Sequence, residues 1–243
     1  MSRTRKGTRK KRQKLKSVYW INLDRSVERR NLMNEVFKDP LFDSMKTHRI
    51  SAIDGKDPKF ETYLKSLDNL KSDHTILVYA CMLSHVKAIQ AFEQSGEELA
   101  MIFEDDVSLE MKPYWKINLE TCIQKAPKDW EIIQLFYFMD TKNLPTQLYT
   151  ESTPEKNYTS ALAYIINRKG AKRFLAELIP NNTIVFDKTI PHSADNYTYR
   201  KLKTYVYKYP FFIPTHNEST LHPTHLKMHK KETDRVIRLI QNI

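Results

Sequence analysis

Glycine is scarce in this chain, at 4 residues among 243. That excludes a glycine-rich low-complexity or collagen-like protein, and it makes each glycine a position worth explaining. Cysteine is scarcer still. Cys81 and Cys122 are too few for a disulfide framework, and neither sits in a metal-type spacing. Long apolar runs are missing too. The longest, residues 132–139, is broken by Gln134 and falls far short of the roughly 20 residues a membrane helix needs. No apolar segment follows the basic start, so no secretory signal is expected and the cytosol is the default compartment. The N-x-S/T triplets at Asn157, Asn181, Asn196 and Asn217 then read as chance matches.

Acidic residues are absent from one stretch. Residues 1–16 carry nine basic side chains and no acidic one. The chain's +11 arises from 40 Lys and Arg against 29 Asp and Glu; removing those nine leaves 31 against 29. The basicity therefore belongs to an arm, expected to be disordered, ahead of a nearly neutral body at residues 17–243. A solubilising role is the bland reading. Nuclear targeting, or attraction to an anionic acceptor, membrane surface or nucleic acid, are the sharper ones. A folded nucleic-acid reader needs a basic face that this body lacks.

Aromatic residues are plentiful, with 13 Tyr, 11 Phe and 3 Trp, enough for a substantial core. Residues 18–23 form a β-branched and aromatic run that stops at a polar cluster, as a buried strand does. Residues 24–38 read as a helix with Val27, Leu32, Met33, Val36 and Phe37 on one stripe, ended by Pro40. Further strands are expected at 48–53, 100–103, 131–139 and 160–167, and helices at 80–94, 170–179 and 225–240. Residues 56–75 read as a loop or short helix. Strands alternating with helices imply one α/β domain with a mainly parallel central sheet covered on both faces.

Ligands of such sheets bind beyond the carboxyl ends of the strands, and two predicted strands end there in polar clusters. The first is Asn22-Leu23-Asp24-Arg25-Ser26, with Arg29 and Arg30 one turn on. Helix-start N–H groups beside guanidinium forks suit a phosphate or carboxylate, although a capped helix with solvated arginines explains the same residues. The second is Glu104-Asp105-Asp106. Three adjoining carboxylates repel one another unless a cation or arginines offset them. Alternation along extended backbone would put Glu104 and Asp106 on one side, a hard oxygen donor set suited to Mg²⁺ or Mn²⁺. An acidic loop with no ligand is the competing reading.

Four blocks, YWINLDRSVERR (19–30), ISAIDG (50–55), ACMLSH (80–85) and MIFEDDV (101–107), resemble in order and spacing those of glycosyltransferase family 25. A fifth, YIINRKGA (164–171), is similar, and the likeness spans roughly residues 18–221. That family contains bacterial lipooligosaccharide galactosyltransferases and collagen hydroxylysine galactosyltransferases. The resemblance implies a GT-A type nucleotide-sugar-binding sandwich and an inverting hexosyltransferase that uses a UDP-sugar with Mn²⁺ or Mg²⁺. The acceptor hydroxyl would lie on a glycan, a lipid-linked saccharide or a hydroxylysine-type protein. It implies that Asn22, Leu23, Arg25, Arg29, Ala52, Asp54 and Gly55 hold the nucleotide, with Ser84 and His85 near the donor.

By the same likeness Asp106 binds the metal, and Glu104 and Asp105 serve the metal or ribose, Asp105 also counting among the catalytic carboxylates. Asp195, in Pro191-His192-Ser193-Ala194-Asp195, matches the late Pro–Asp block and is the candidate base. Thr220 stands where the family's C-terminal block has an acid, leaving His222 or His216 as the substitute metal ligand. That departure also leaves open a catalytically silent protein that binds a sugar nucleotide or, through its arm, a nucleic acid.

Overall fold

The computed structural model describes residues 14–67, 70–138, 145–156, 158–215 and 226–241. Among them are strands β1 (Ser17–Asn22), β2 (Lys46–Ser51), β3 (Leu99–Glu104), β4 (Val107–Ser108), β5 (Ile132–Gln134), β6 (Tyr149–Glu151), β7 (Ala163–Asn167), β8 (Thr204–Tyr207) and β9 (Ile213–Pro214). The helices are α1 (Val27–Val36), α2 (Pro58–Lys65), α3 (Ile76–Ser95), α4 (Leu119–Lys125), α5 (Arg168–Leu178), α6 (Ala194–Lys201) and α7 (Leu226–Gln241).

The central sheet has the order β2-β1-β3-β7-β5-β8-β6, and β4 pairs with β9 in a small second sheet. Strands β1, β2, β3, β5 and β8 run one way; β7 runs against both its neighbours and β6 against β8. The expected α/β sandwich is therefore present, built on a mixed sheet.

Period-two alternation divides the core between the two faces of this sheet. Val18 and Trp20 of β1, with Met101 and Phe103 of β3 and Ile165 of β7, join Met33 of α1, Cys122 of α4 and Val236 of α7. Tyr19 and Ile21, with Ala100, Ile102, Tyr164 and Ile166, pack on α3, α5 and α6. Helix α7 thus turns Val236 and Ile240 into the chain's own core. Leu15, assigned by the sequence to the basic arm, is also buried there.

Helix α3 is the spine of the second face. Thr75 caps it by accepting a hydrogen bond from Val78 N, and Gly96 ends it in the left-handed region at φ 77°. Its buried residues, from Tyr79 to Phe92, occupy most of its circumference, as a helix enclosed by core must.

Several boundaries differ from expectation. Val27 and Leu32 of α1 are exposed while Met33 is buried, so the apolar stripe is narrower than its sequence suggests. The run 131–139 keeps strand geometry only over Ile132–Gln134, after which Leu135, Phe136 and Tyr137 stay buried without it. The short strands β6 and β8 and helices α4 and α6 lack a hydrophobic period long enough to read.

Gly55 lets α3 approach the loop that follows β2. A Cβ placed there would lie 2.8 Å from Leu77 Cδ2, 3.1 Å from Ala80 Cβ and 3.2 Å from Leu77 Cα. Gly55→Ala is expected to cost about 1–3 kcal/mol, the usual penalty of overpacking, read as a lower urea midpoint at unchanged slope. An unchanged midpoint would mean that α3 yields freely.

Candidate active site

One cleft lies at the carboxyl edge of β1, β2 and β3, where this architecture places ligands. Its walls include Leu23, Arg25 and Arg29 from the β1–α1 segment, Ala52, Asp54 and Gly55 after β2, and Ser84 and His85 on α3. Glu104, Asp105 and Asp106 close it. Residues more than 80 positions apart are thus gathered on one surface, and they are the ones that four separate sequence blocks supplied.

Alternation does not govern the acidic triplet, because the backbone turns at Asp105 and Asp106 between β3 and β4. Glu104 and Asp106 both line the cleft but take different partners. Glu104 Oε1 lies 3.3 Å from His85 Nε2, while Asp105 and Asp106 share a single guanidinium nitrogen. Arg29 Nη2 is 2.8 Å from Asp105 Oδ1 and 2.7 Å from Asp106 Oδ2. Asp105 Oδ2 also accepts from Asn22 Nδ2 at 2.6 Å. Both Asp105 oxygens are therefore committed, which suits a carboxylate that sets the shape of the turn.

Asp106 is different: its Oδ1 is buried with no hydrogen-bond partner, as is Arg29 Nε. Burial raises the pKa of Asp105, with Arg29 opposing the shift. Burial also raises that of Asp106, to about 7; Arg29 opposes this, and Glu104 and Asp105 add to it. An unsatisfied carboxylate oxygen among adjoining carboxylates is a donor set that fits a hard divalent cation.

Around this centre other groups act as supports. Asn22, itself buried, donates to Ser26 O, and its Oδ1 accepts from Arg30 Nε at 3.2 Å and Arg49 Nε at 3.1 Å. It orients Asp105 from behind the cleft surface. Ser84 Oγ accepts from Ile53 N at 2.8 Å and donates to Ala80 O at 2.6 Å, pinning the loop after β2 to α3. Its hydroxyl is thereby spent on structure. Arg25 pairs with Asp54 through Nε at 2.7 Å and Nη2 at 3.1 Å, and this contact keeps the Asp54 carboxyl below its usual range.

His85 is buried, with Nδ1 3.2 Å from the Tyr164 hydroxyl. Asp195 does not line the cleft. It sits in the first turn of α6, where Oδ2 accepts from Ser160 N at 2.9 Å and Oδ1 from Asn196 N at 2.8 Å. Ser160 has φ 108°, and Tyr199 Oη donates to its carbonyl, so Asp195 and Tyr199 clamp a strained turn. Asp195 nevertheless acts electrostatically on Cys81, which burial, then Glu104, Asp195 and Asp106, hold well above the usual thiol pKa.

His216 and His222 lie outside the described residues. The chain reaches the site just before them: Thr215 N donates to Asp106 O at 2.6 Å. Cys81 itself is what the sequence reading missed. Neither a disulfide framework nor a metal-type spacing marks it in the sequence, and it is the helical register of α3 that puts Cys81 one turn before His85. Arg49, which supports Asn22 and also pairs with Asp24, gave no sequence signal beyond its charge.

The family model described as glycosyltransferase family 25 (LPS biosynthesis protein) matches residues 15–190. Proteins named "Glycosyltransferase 25 family member" are similar to this chain in Aedes aegypti, 26% identical over 197 residues, and in Anopheles gambiae, 26% over 201. The alignments take in 74% and 75% of this chain but 31% and 32% of those proteins, so the chain spans about a third of their length. A crystal structure titled as a glycosyltransferase involved in the glycosylation of the major capsid of PBCV-1 superposes with a TM-score of 0.42 at 12% identity. It covers 88% of this chain and 100% of its own.

The acidic turn makes stability depend on pH in an unusual direction. Between the ordinary value of 3.8 and about 7, folded Asp106 retains a proton that the unfolded chain has lost. Stability then falls as pH rises through that window. The carboxyls lowered by hydrogen bonds, such as Asp24 and Asp54, act only below about 4, where their unfolded forms protonate. Burial holds the His192 pKa down, which gives the opposite slope below about 6.5 in any variant that keeps it, so the expected signature is a difference: between pH 5 and pH 7.5 the melting temperature of metal-free wild type should fall relative to that of Asp106→Asn. Equal slopes in variant and wild type would contradict the assignment.

Proposed function

This chain belongs to glycosyltransferase family 25, and from that premise we propose that it transfers a hexose from a UDP-sugar to an acceptor hydroxyl. Galactose or glucose is the proposed sugar, with inversion at the anomeric carbon and dependence on Mn²⁺ or Mg²⁺. The observation that carries this reading is the acidic turn 104–106, which lines one cleft together with Arg25, Arg29 and the 52–55 loop.

Asp106 and Glu104 are the proposed cation ligands, with Asp105 holding the turn in shape. The cation, when bound, offsets the negative charge that develops on the diphosphate as it leaves. Arg29 now neutralises the two aspartates and would be freed toward the phosphates once a cation takes that task. Arg25 is proposed to add a second guanidinium once its contact with Asp54 opens. Ala52, Ile53 and Gly55, held against α3 by Ser84, supply the wall for the nucleoside.

Inversion needs one base to take the acceptor proton during direct displacement. Asp195 is the proposed base. In that role one of its oxygens gives up a bond to Ser160 or Asn196 and receives the proton. The proposed acceptor hydroxyl lies on a glycan, a lipid-linked saccharide or a hydroxylysine-type protein. His216 and His222 remain proposed as further cation ligands.

The test needs no known acceptor, because donor hydrolysis reports the site. Incubation with a panel of UDP-sugars should release UDP from one preferred donor with Mn²⁺ and not with EDTA, and Asp106→Ala should abolish release. Release from every donor regardless of metal would overturn the reading. Once an acceptor is found, Asp195→Asn should lower transfer at least about 100-fold while UDP binding stays unchanged. Full turnover in that variant would remove Asp195 from the mechanism.

A further inference from the structure

The wall of the cleft contains a second potential donor set, different in kind from the acidic turn. Cys81 Sγ, a ring nitrogen of His85 and a carboxylate oxygen of Glu104 all lie within 4.8 Å of one another. Cys81 and His85 are four residues apart on α3 and so share a face, while Glu104 ends the neighbouring strand β3. The His85 Nε2 to Glu104 Oε1 distance is 3.3 Å. That is the length of a nitrogen–oxygen edge in a tetrahedron whose metal–ligand bonds are about 2.0–2.1 Å. Drawing the thiol to its corner asks for a movement of about 1 Å, within reach of rotation about a single side-chain bond.

We propose that Cys81, His85 and Glu104 form a three-ligand site for Zn²⁺, with its fourth position open to the cleft. Thiolate and imidazole favour zinc over the hard cations that suit an all-carboxylate set, and zinc outranks manganese in affinity for such ligands. The surroundings agree. His85 Nδ1 faces the buried Tyr164 hydroxyl at 3.2 Å, an outer partner that leaves Nε2 directed at the metal position. Binding releases the thiol proton to solvent as the Zn–S bond forms, one proton per ion taken up. Because Glu104 also belongs to the acidic turn, zinc here and a hard cation there draw on one carboxylate.

The probe is the metal alone, applied to the full chain. Zn²⁺ titrated against a chromophoric chelator should bind, and Co²⁺ in its place should show a thiolate-to-metal charge-transfer band. Cys81→Ser should remove that band and weaken Zn²⁺ binding at least about tenfold, whereas Cys122→Ser should keep both. The charge-transfer band separates this site from histidines elsewhere in the chain, which carry no sulfur. In wild-type protein Zn²⁺ should also protect Cys81 from alkylation, scored by peptide mass, a readout that does not depend on any variant folding. A band that survives Cys81→Ser, or Cys81 alkylated equally with and without Zn²⁺, would overturn the proposal.

Discussion

Everything in the cleft is arranged around one guanidinium nitrogen held between two aspartates. Asp105 and Asp106 are adjacent in sequence and lie in a tight turn, where two ionised carboxylates cannot coexist without a positive partner. Arg29 meets that need from α1, at 2.8 and 2.7 Å. The compensation is incomplete, since Asp106 keeps one buried oxygen without a partner. A protein that wanted only a stable turn would replace such carboxylates with apolar or hydrogen-bonded groups. Retaining them makes physical sense if a cation and a diphosphate come and go, with Arg29 exchanging carboxylates for phosphates as they do.

Rigidity elsewhere lets this exchange stay local. The parallel strands β1, β2 and β3 deliver Asn22, Ser51 and Glu104 to one edge. Asn22 then ties that edge together by holding Asp105 on one side and Arg30 and Arg49 on the other. Helix α3 supplies the opposite wall through the Ser84 latch and the glycine contact at Gly55. Exposure differs across the cleft, and Arg29 is nearly as enclosed as the aspartates it holds, its side chain being 15% exposed. The Arg25–Asp54 pair is about a third or more exposed, whereas Asn22, Ser84 and His85 are buried.

Much of this was legible beforehand because strong local signals happened to coincide with the site. The runs at 18–21 and 100–103 are apolar throughout and stop at polar clusters, so both the strands and their polar ends could be read. Family likeness then united blocks that no periodicity connects. What resisted reading depended on three-dimensional detail. The turn at Asp105 and Asp106 defeated the alternation argument, and the strained Ser160 clamp gave Asp195 a structural task that its sequence context does not display. The pairing of Cys81 with His85 and Glu104 needed the helix register and the strand end together.

On the proposed reading, the acidic turn binds a nucleotide only when a cation completes it. Calorimetric titration of UDP into the protein, with Mn²⁺ and with EDTA, addresses this directly and requires neither donor nor acceptor to be known. Saturable binding is expected in the presence of Mn²⁺, abolished by EDTA and weakened at least about tenfold, or about 1.4 kcal/mol, by Asp106→Asn. UDP binding of equal strength with EDTA, in wild type and variant alike, would contradict it and move the nucleotide away from Asp106.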